Sequence, residues 1–326
     1  MKRLLVTGGA GFIGSNFIRH ILNKYSDYSV TNMDKLTYCG NTDNLKDVER
    51  RANYKFIKGD IADERLVNRL MKNTDIIVHF AAESHVDRSI KDPNCFIKTN
   101  VFGTHVLLEA AKRSGVKKFL HISTDEVYGS ILKGAFKEDD PLFPNSPYSA
   151  SKASADMLAR SYFITYGVPV IITRSSNNFG PYQYPEKVIP LFITNILTNK
   201  KVPLYADGMN VRDWLFVCDN CEAVDTIMHK GKIGETYNIG GGSEITNLEL
   251  TRAILSFLGK DGSFIKFVTD RPGHDKRYAL NISKVKSLGW RPKHDFKTSL
   301  RLTIEWYKKN RAWWEKLIKC RKDIRY

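Results

Sequence analysis

Short apolar runs alternate with amphipathic stretches along the first half of the chain. Leu4 to Thr7, Val30 to Met33, Tyr54 to Lys58, Ile76 to Phe80, Phe119 to Ile122 and Val170 to Thr173 read as strands, and residues 13–24, 64–72, 98–113 and 148–166 read as helices between several of them. Strand and helix in regular alternation, with fully apolar strands, predict a parallel sheet covered on both faces and therefore doubly wound. After about residue 175 the texture changes to loops rich in Pro, Asn and Tyr. Asn177-Asn178-Phe179-Gly180-Pro181-Tyr182 comes first and Asp270-Arg271-Pro272-Gly273-His274 later, with shorter elements between them. The pattern divides an α/β chain into a larger domain over residues 1–175 and a smaller C-terminal lobe of helices and short strands over residues 176–326. Some elements of the lobe are expected to return to the first domain.

Composition narrows the class. With 326 residues, 42% hydrophobic and 11% aromatic, the chain has the make-up of an ordinary folded globular protein. No apolar run approaches the roughly 18 residues of a membrane span. Met1 to Val6 begins like a secretory leader, but Thr7-Gly8-Gly9 ends the apolar stretch too early, so the N-terminus reads as mature strand. Lys and Arg outnumber Asp and Glu by 51 to 35, a net charge of +16 that would suit an acidic partner. Much of the excess sits between Lys308 and Arg325, where it reads as a charged helix face, and no motif that reads nucleic acid accompanies it. Neither nucleic acid nor membrane is therefore expected as a partner. The cysteines, Cys39, Cys95, Cys218, Cys221 and Cys320, are odd in number and scattered, which points to a reducing, cytoplasmic setting. Cys218 and Cys221 have the spacing of half a zinc site, but no second pair accompanies them, so no metal is expected.

Candidate chemistry begins at the first strand, which runs into Gly8-Gly9-Ala10-Gly11-Phe12-Ile13-Gly14 and then a helix. Glycines at 8, 11 and 14 let the backbone turn tightly and approach a pyrophosphate, whose charge is met by amides at the helix N-terminus around Phe12 and Ile13. Asp34 follows Gly14 by 20 residues, at the end of the second strand. A carboxylate there accepts hydrogen bonds from an adenosine ribose and repels a 2′-phosphate, favouring NAD over NADP. Asp60-Ile61, at the adenine, and Phe80-Ala81-Ala82-Glu83-Ser84, along the pyrophosphate and ribose, stand at further strand ends of the same crevice. The larger domain is thus expected to be a Rossmann-type NAD domain.

Tyr148 and Lys152 lie four apart on one helix face. Beside a nicotinamide, Lys152 would bond the ribose, and its charge with that of the ring would lower the Tyr148 pKa toward neutrality, making Tyr148 a base for a substrate hydroxyl. Pro147 favours an extended lead into this helix. The strand Phe119 to Ile122 is followed by Ser123-Thr124-Asp125-Glu126-Val127-Tyr128-Gly129. Strict alternation would put Asp125 opposite Thr124 and Glu126, so both carboxyls face one substrate only if the chain leaves strand geometry here, which Gly129 allows. Taken singly, either carboxyl reads equally as a helix cap. Adjacent in a cofactor crevice, like charges push their pKa values apart and leave one protonated, an acid beside a base.

These residues are accompanied by Asp34-Lys35-Leu36-Thr37-Tyr38-Cys39-Gly40-Asn41, by Ala81-Ala82-Glu83-Ser84-His85-Val86-Asp87-Arg88-Ser89, and by Ser176-Asn177-Asn178. Tyr184-Pro185-Glu186-Lys187, Val211-Arg212-Asp213-Trp214 and Arg271-Pro272-Gly273-His274-Asp275 complete the set. Together they resemble the extended short-chain dehydrogenase/reductase family, and within it the dTDP-glucose 4,6-dehydratase group, over nearly the whole length. The glycines and the Tyr/Lys pair mark only the superfamily. Thr124-Asp125-Glu126 and the run from Ala81 to Ser89 mark the dehydratase group. Cys39, where Ala or Ser is usual, and Ser175, where Cys is common, are mild departures.

The resemblance implies that Tyr148, helped by Thr124, deprotonates the sugar C4 hydroxyl as hydride passes to NAD. Glu126 then takes the C5 proton while Asp125 protonates the departing C6 hydroxyl, and hydride returns to C6. The product is a 4-keto-6-deoxy sugar nucleotide, with the NAD retained. By the same resemblance Ser84, Thr124, Asn177, Lys187, Val188, Arg212, Asn247, Arg271 and His274 contact the sugar nucleotide, with Pro203, Leu204 and Tyr205 near its base. Lys35, Leu36, Thr37, Thr99 and Asn178 belong to the cofactor side. Lys187, Arg212 and Arg271 suit a diphosphate. A homodimer through helices 98–113 and 148–166 and a place in deoxysugar biosynthesis, toward rhamnose or another sugar, are also implied. A 4-epimerase of the same superfamily would need no acid and base at C5 and C6. A UDP-glucose dehydratase stays open, because thymidine and uridine differ by a methyl worth only about 1–3 kcal/mol in a pocket. A non-catalytic NAD- or nucleic-acid-binding protein is the alternative of another class, and Tyr148 with Lys152 argues against it.

Overall fold

A computed structural model of the chain describes residues 1–320, and residues 321–326, the end of the basic tail, lie outside the described residues. In chain order the strands are β1 (Lys2–Thr7), β2 (Tyr28–Asp34), β3 (Tyr54–Lys58), β4 (Ile76–His79), β5 (Lys118–Thr124) and β6 (Val170–Ser175). They continue with β7 (Asn177–Phe179), β8 (Val202–Tyr205), β9 (Val211–Phe216), β10 (Thr236–Ile239), β11 (Glu244–Thr246) and β12 (Ile265–Val268). Seven of them form one sheet in the order β10-β6-β5-β4-β1-β2-β3, every neighbouring pair parallel. The order reverses between β1 and β4, and that reversal opens the crevice at their carboxyl ends where open parallel sheets bind ligands.

The period of two along each strand sorts side chains onto two apolar faces. Leu4, Val6, Val78, Leu120 and Ile171 join one core, whereas Leu5, Ile77, Phe119, Val170 and Ile172 join the other. The first face is covered by α1 (Phe12–Lys24), and the second by α2 (Glu64–Met71). The chain then forms α3 (Val86–Lys91) and α4 (Asn94–Phe96), followed by α5 (Thr104–Ser114) and α6 (Pro147–Tyr166), which complete the second face. Where the pattern predicts one helix over 98–113, the backbone between α4 and α5 is wound as a π-helix over Ile97–Gly103.

After β6 the chain forms α7 (Val188–Leu197), α8 (Val217–Lys230), α9 (Asn247–Phe257), α10 (Ser283–Ser287), α11 (Phe296–Lys309) and α12 (Arg311–Cys320). β11, β9 and β7 make a three-stranded sheet, and β12 pairs with β8. A third core of Phe179, Phe192, Trp214, Leu250, Ile304 and Trp314, among others, joins these strands to α7, α9, α11 and α12. β10 and α8 cross back: β10 becomes the edge of the seven-stranded sheet, and Val224, Ile227 and Met228 of α8 pack on α1's face.

One carboxylate secures the contact between α1 and α8. Buried Asp225 pairs with His20 Nε2 at 2.9 Å and accepts from Lys24 Nζ at 2.6 Å and the Tyr25 hydroxyl at 3.1 Å. Burial alone would raise its pKa, but His20 and Lys24 outweigh burial and hold it at about 2, against an ordinary 3.8. The folded-state pKa is the lower one, so this stabilisation is complete above pH 3.8 and is lost as pH falls toward about 2. Asp225→Asn should therefore lower the melting temperature at neutral pH and flatten the acid loss below pH 4 or so. Thermal unfolding across that range checks it, and a parallel downward shift at every pH would contradict it.

Candidate active site

At the end of β1 the chain turns at Gly8, whose φ of 72° is left-handed and whose missing Cβ would lie 2.5 Å from the Ala81 amide nitrogen. A Cβ at Gly14 would lie 2.4 Å from the Gly8 carbonyl oxygen. Loop, helix and the exit of β4 therefore pack backbone on backbone. Gly11 caps α1 with no side-chain hydrogen bond, which leaves the first-turn amides for an anionic group. These features fit a dinucleotide pyrophosphate. Gly8→Ala adds left-handed strain of about 1–2 kcal/mol to a backbone clash. It should lower the melting temperature and strip the purified chain of bound dinucleotide. An alanine variant with parental stability and cofactor content would show that the loop is not this tight.

Asp34 closes β2. One of its oxygens accepts from the Ala10 amide at 2.9 Å and the other from the Leu36 amide at 2.8 Å. Burial pushes its pKa up, and the Leu36 and Ala10 amides pull against that. Leu36, at φ 57°, thus serves Asp34 through its backbone. Lys35 pairs with Asp60 at 2.7 Å.

A cavity of about 320 Å³ joins this loop to the end of β5. Of the residues expected at the dinucleotide, Gly8, Gly11, Phe12, Ile13, Gly14, Asp34, Lys35, Thr37, Asp60, Ile61, Phe80, Ala81, Ala82, Ser84, Thr99 and Asn178 line it. So do Thr124, Asp125, Glu126, Tyr148, Lys152, Asn177, Lys187 and Val188. Leu36, Pro203, Leu204, Tyr205, Arg212, Asn247, Arg271 and His274 are not among its lining residues.

β5 runs two residues past its apolar run, and Ser123 and Thr124 pair in register with Arg174 and Ser175 of β6. After Thr124 the backbone leaves strand geometry for a single 3₁₀ turn, Asp125–Tyr128, ended by Gly129 at φ 80°. The Thr124 hydroxyl caps the turn, accepting from the Glu126 amide and donating to the Asp125 carboxyl, each at 3.2 Å. Because threonine supplies the cap, both carboxyls stay available, and the turn sets them on the same cavity.

Their protonation states separate. Burial first, then Glu126 and Asp213, push Asp125 well above the ordinary carboxyl range. Burial also raises Glu126, but Arg271, Lys187 and Arg212 oppose it. Repulsion is thus only part of the cause: burial lifts both groups, Arg212 favours the charged form of each, and Arg271 and Lys187 favour it further at Glu126.

α6 begins at Pro147, one residue ahead of Tyr148. Ser146 caps it in a reciprocal capping box with Ser149, and proline at the first helical position suits the fixed φ there. The Tyr148 amide donates to the Ser89 hydroxyl at 3.1 Å, and Lys152 Nζ donates to the Ile122 carbonyl at 2.6 Å. Burial pushes the Lys152 pKa down to about 8. In the protein alone the Tyr148 pKa moves upward. Burial and then Glu126 push its phenol above the usual value, and the Thr124 hydroxyl is the group that pulls it back.

Lys187 Nζ donates to the Ser84 carbonyl at 2.7 Å. Arg212 is buried, donates to the Asp275 carbonyl at 2.9 Å and lies 4.3 Å over the Tyr278 ring. Asp87 gathers Arg271 and the Tyr205 hydroxyl, each at 3.4 Å, and His274 pairs with Asp270 at 2.6 Å. Pro203 and buried Leu204 lie in β8, and Asn247 is the first residue of α9. Arg212 and Arg271 act on Glu126 through space.

Over residues 5–303 the chain matches the family described as GDP-mannose 4,6 dehydratase. The chain belongs to this family. It is 53% identical to a dTDP-glucose 4,6-dehydratase of Streptomyces antibioticus over 322 residues, covering 97% of this chain and 95% of the relative. Among solved structures it is similar to the dTDP-glucose 4,6-dehydratase DesIV of Streptomyces venezuelae, solved with NAD bound. That match has 51% identity and a TM-score of 0.95, and covers 97% of this chain and 99% of the other. A UDP-glucose 4-epimerase of Thermus thermophilus, also solved with NAD, is similar at 32% identity and a TM-score of 0.88, covering 94% and 99%.

Within this 4,6 dehydratase frame, further residues join the site through tertiary contacts alone. The Tyr38 hydroxyl donates to Glu186 at 2.7 Å, and Arg88 pairs with Glu186 at 3.2 Å while lying 3.8 Å over the Tyr38 ring. Tyr38 and Glu186 both line the cavity, as do Gln183 and Trp214. The three partners sit in three separate motifs, and no local spacing links them. Asn100, in the π-helical stretch, accepts from the Glu83 amide at 2.8 Å and donates to the Ser151 hydroxyl at 2.8 Å. It ties the β4 exit to α6.

Proposed function

We propose that this chain removes water from dTDP-glucose, giving the 4-keto-6-deoxy sugar nucleotide, with an NAD that stays bound through turnover. The observation that carries the reading is the 3₁₀ turn that sets Asp125 and Glu126 into the cavity shared by Tyr148, Lys152 and the glycine loop. A 4-epimerase would need the Tyr/Lys pair but not two carboxyls. The 53% identity to a dehydratase against 32% to an epimerase supports the same choice.

When bound against the glycine loop and Asp34, NAD supplies the hydride chemistry of the cycle. The side chains move the protons. Tyr148 takes the C4 hydroxyl proton; burial pushes its phenol up, Thr124 opposes that rise, and the charge of Lys152 beside a bound nicotinamide would favour the phenolate. Lys152 orients the ribose and adds positive charge under the forming phenolate. The 4-keto group acidifies C5, and Glu126, whose charge Arg271, Lys187 and Arg212 favour, takes that proton. Asp125, kept protonated by burial, gives its proton to the departing C6 hydroxyl. Glu126 then returns a proton to C5. Because the hydride taken is also given back, the cycle contains no step that releases the cofactor.

Lys187, Arg212 and Arg271 suit the diphosphate, and Tyr205 with His274 suits the nucleoside end. Exposed Ile97 and Phe102 of the π-helical stretch, with Met157 and Ile164 of α6, support a homodimer through these helices. Free Cys39, Cys95, Cys218 and Cys221 support a reducing, cytoplasmic setting, and among the described residues no helix is long and apolar enough to cross a membrane. The direct test incubates the chain with dTDP-glucose and with UDP-glucose separately, following the alkaline absorbance of a 4-keto product and the mass loss of water. Dehydration of dTDP-glucose is expected, and turnover of neither sugar nucleotide would refute the function.

A further inference from the structure

Asp156 is a buried acid that none of these steps uses. It stands on α6 four residues beyond Lys152, which stands four beyond Tyr148, so the three share one helix face, and all three are buried. Asp156 is 1% exposed. One carboxylate oxygen takes Arg174 Nε of β6 at 2.9 Å. The other lies 3.3 Å from His121 Nε2 of β5 without a well-formed hydrogen bond. Lys152 Nζ meets the carbonyl of Ile122, the residue next to His121.

The charged and titratable groups around Lys152 come from every element packed there. They are Tyr148 and Asp156 on α6, His121 on β5, His79 on β4, Arg174 on β6, and Asp125 and Glu126 on the turn. Burial, the neighbouring histidine and Lys152 keep His79 neutral, and burial and Lys152 do the same for His121. Arg174 pairs directly with this deeply buried anion, and Lys152, one turn away on the same helix face, is a second buried cation near it. An ammonium taken out of water sheds its proton unless an opposite charge holds it. At Lys152 burial acts against the charge, and Asp156 is the group that acts for it.

We propose that Asp156 is a positioning residue for the oxidation step, the counter-ion that keeps Lys152 charged and seated on β5 beneath Tyr148. The proposal rests on the dehydratase reading. Its test is the pH profile of 4-keto product formation from dTDP-glucose by Asp156→Asn and by the parent chain, each with bound cofactor. The alkaline limb of kcat/KM, where Lys152 loses its proton, should move down by about one pH unit, so that the rate falls about tenfold at the parent's optimum and recovers toward lower pH. Asp156→Glu should restore the parent's limb. A rate lowered equally at every pH, with the limb in place, would overturn the proposal. Loss of Asp156 also strands Arg174, so Asp156→Asn/Arg174→Gln removes the buried pair together. A lowered limb in that variant supports the role, and an unmoved limb, or failure of both variants to fold, overturns it. A parent chain that leaves dTDP-glucose unchanged brings down the dehydratase reading and this role with it. An active parent with an unmoved limb in the variants brings down this role alone.

Discussion

Glu126→Gln should all but stop dehydration of dTDP-glucose while reduced nicotinamide builds up to about one equivalent per bound cofactor. The amide keeps the size of the side chain and loses only its capacity to take the C5 proton, and general base catalysis of this kind is worth about 10²–10⁴-fold in rate. Tyr148, Thr124 and Lys152 are untouched, so C4 oxidation proceeds once and stalls at the 4-keto stage. Arg271, Lys187 and Arg212 lose an opposing anion and remain to hold the diphosphate, so KM should not rise. Nicotinamide absorbance in a single turnover, read beside product mass, checks both halves. Full dehydration by this variant would remove Glu126 from the base role, and loss of activity with no reduced nicotinamide would place it in oxidation instead.

Tyr148→Phe should fall by a similar factor, about 10²–10⁴-fold, with no reduced nicotinamide at any time. The ring sits in a small apolar cluster with Val86 and Phe96, edge-on to Phe96 at 6.3 Å, and phenylalanine preserves that packing. Only the phenolic oxygen is lost, and with it the acceptor for the C4 hydroxyl proton. Unchanged thermal stability together with a silent nicotinamide signal is the expected pair of results. Appearance of reduced nicotinamide at the parental rate would give the first proton to another group, Thr124 being the neighbour best placed to take it. The two variants therefore divide the cycle at the 4-keto stage, one before it and one after.

Much of the architecture is legible because its causes are local. The apolar runs that begin at Leu4 and Ile76 lie in strands, β1 and β4, the second ending at His79, and the glycines at 8 and 14 occupy positions where a Cβ would meet backbone. Ser123 and Thr124 fall outside the apolar run yet belong to β5, because they end the strand at the cavity, where polar side chains have work to do. β10 is illegible in the sequence for the opposite reason. Thr236–Ile239 is four residues long and is a strand by virtue of the free edge that β6 offers it, 61 residues earlier at the nearest end. The π-helical stretch Ile97–Gly103 keeps an apolar pattern that an ordinary helix would also satisfy, and only the docking of Asn100 on Glu83 and Ser151 reveals its purpose.

By itself the amino-acid sequence determined the doubly wound sheet, the dinucleotide loop, the Tyr148/Lys152 pair and the presence of two adjacent carboxyls, since each depends on backbone preference and spacing within a turn or two. Tertiary structure alone decided that Asp125 and Glu126 share one cavity through a 3₁₀ turn, and that burial raises both while Arg212 opposes the rise at each and Lys187 and Arg271 add to that opposition at Glu126. It also decided that Glu186 joins Tyr38 to Arg88. Protonation depends on desolvation and on charges acting through space, and those distances exist only once remote segments have been folded against one another.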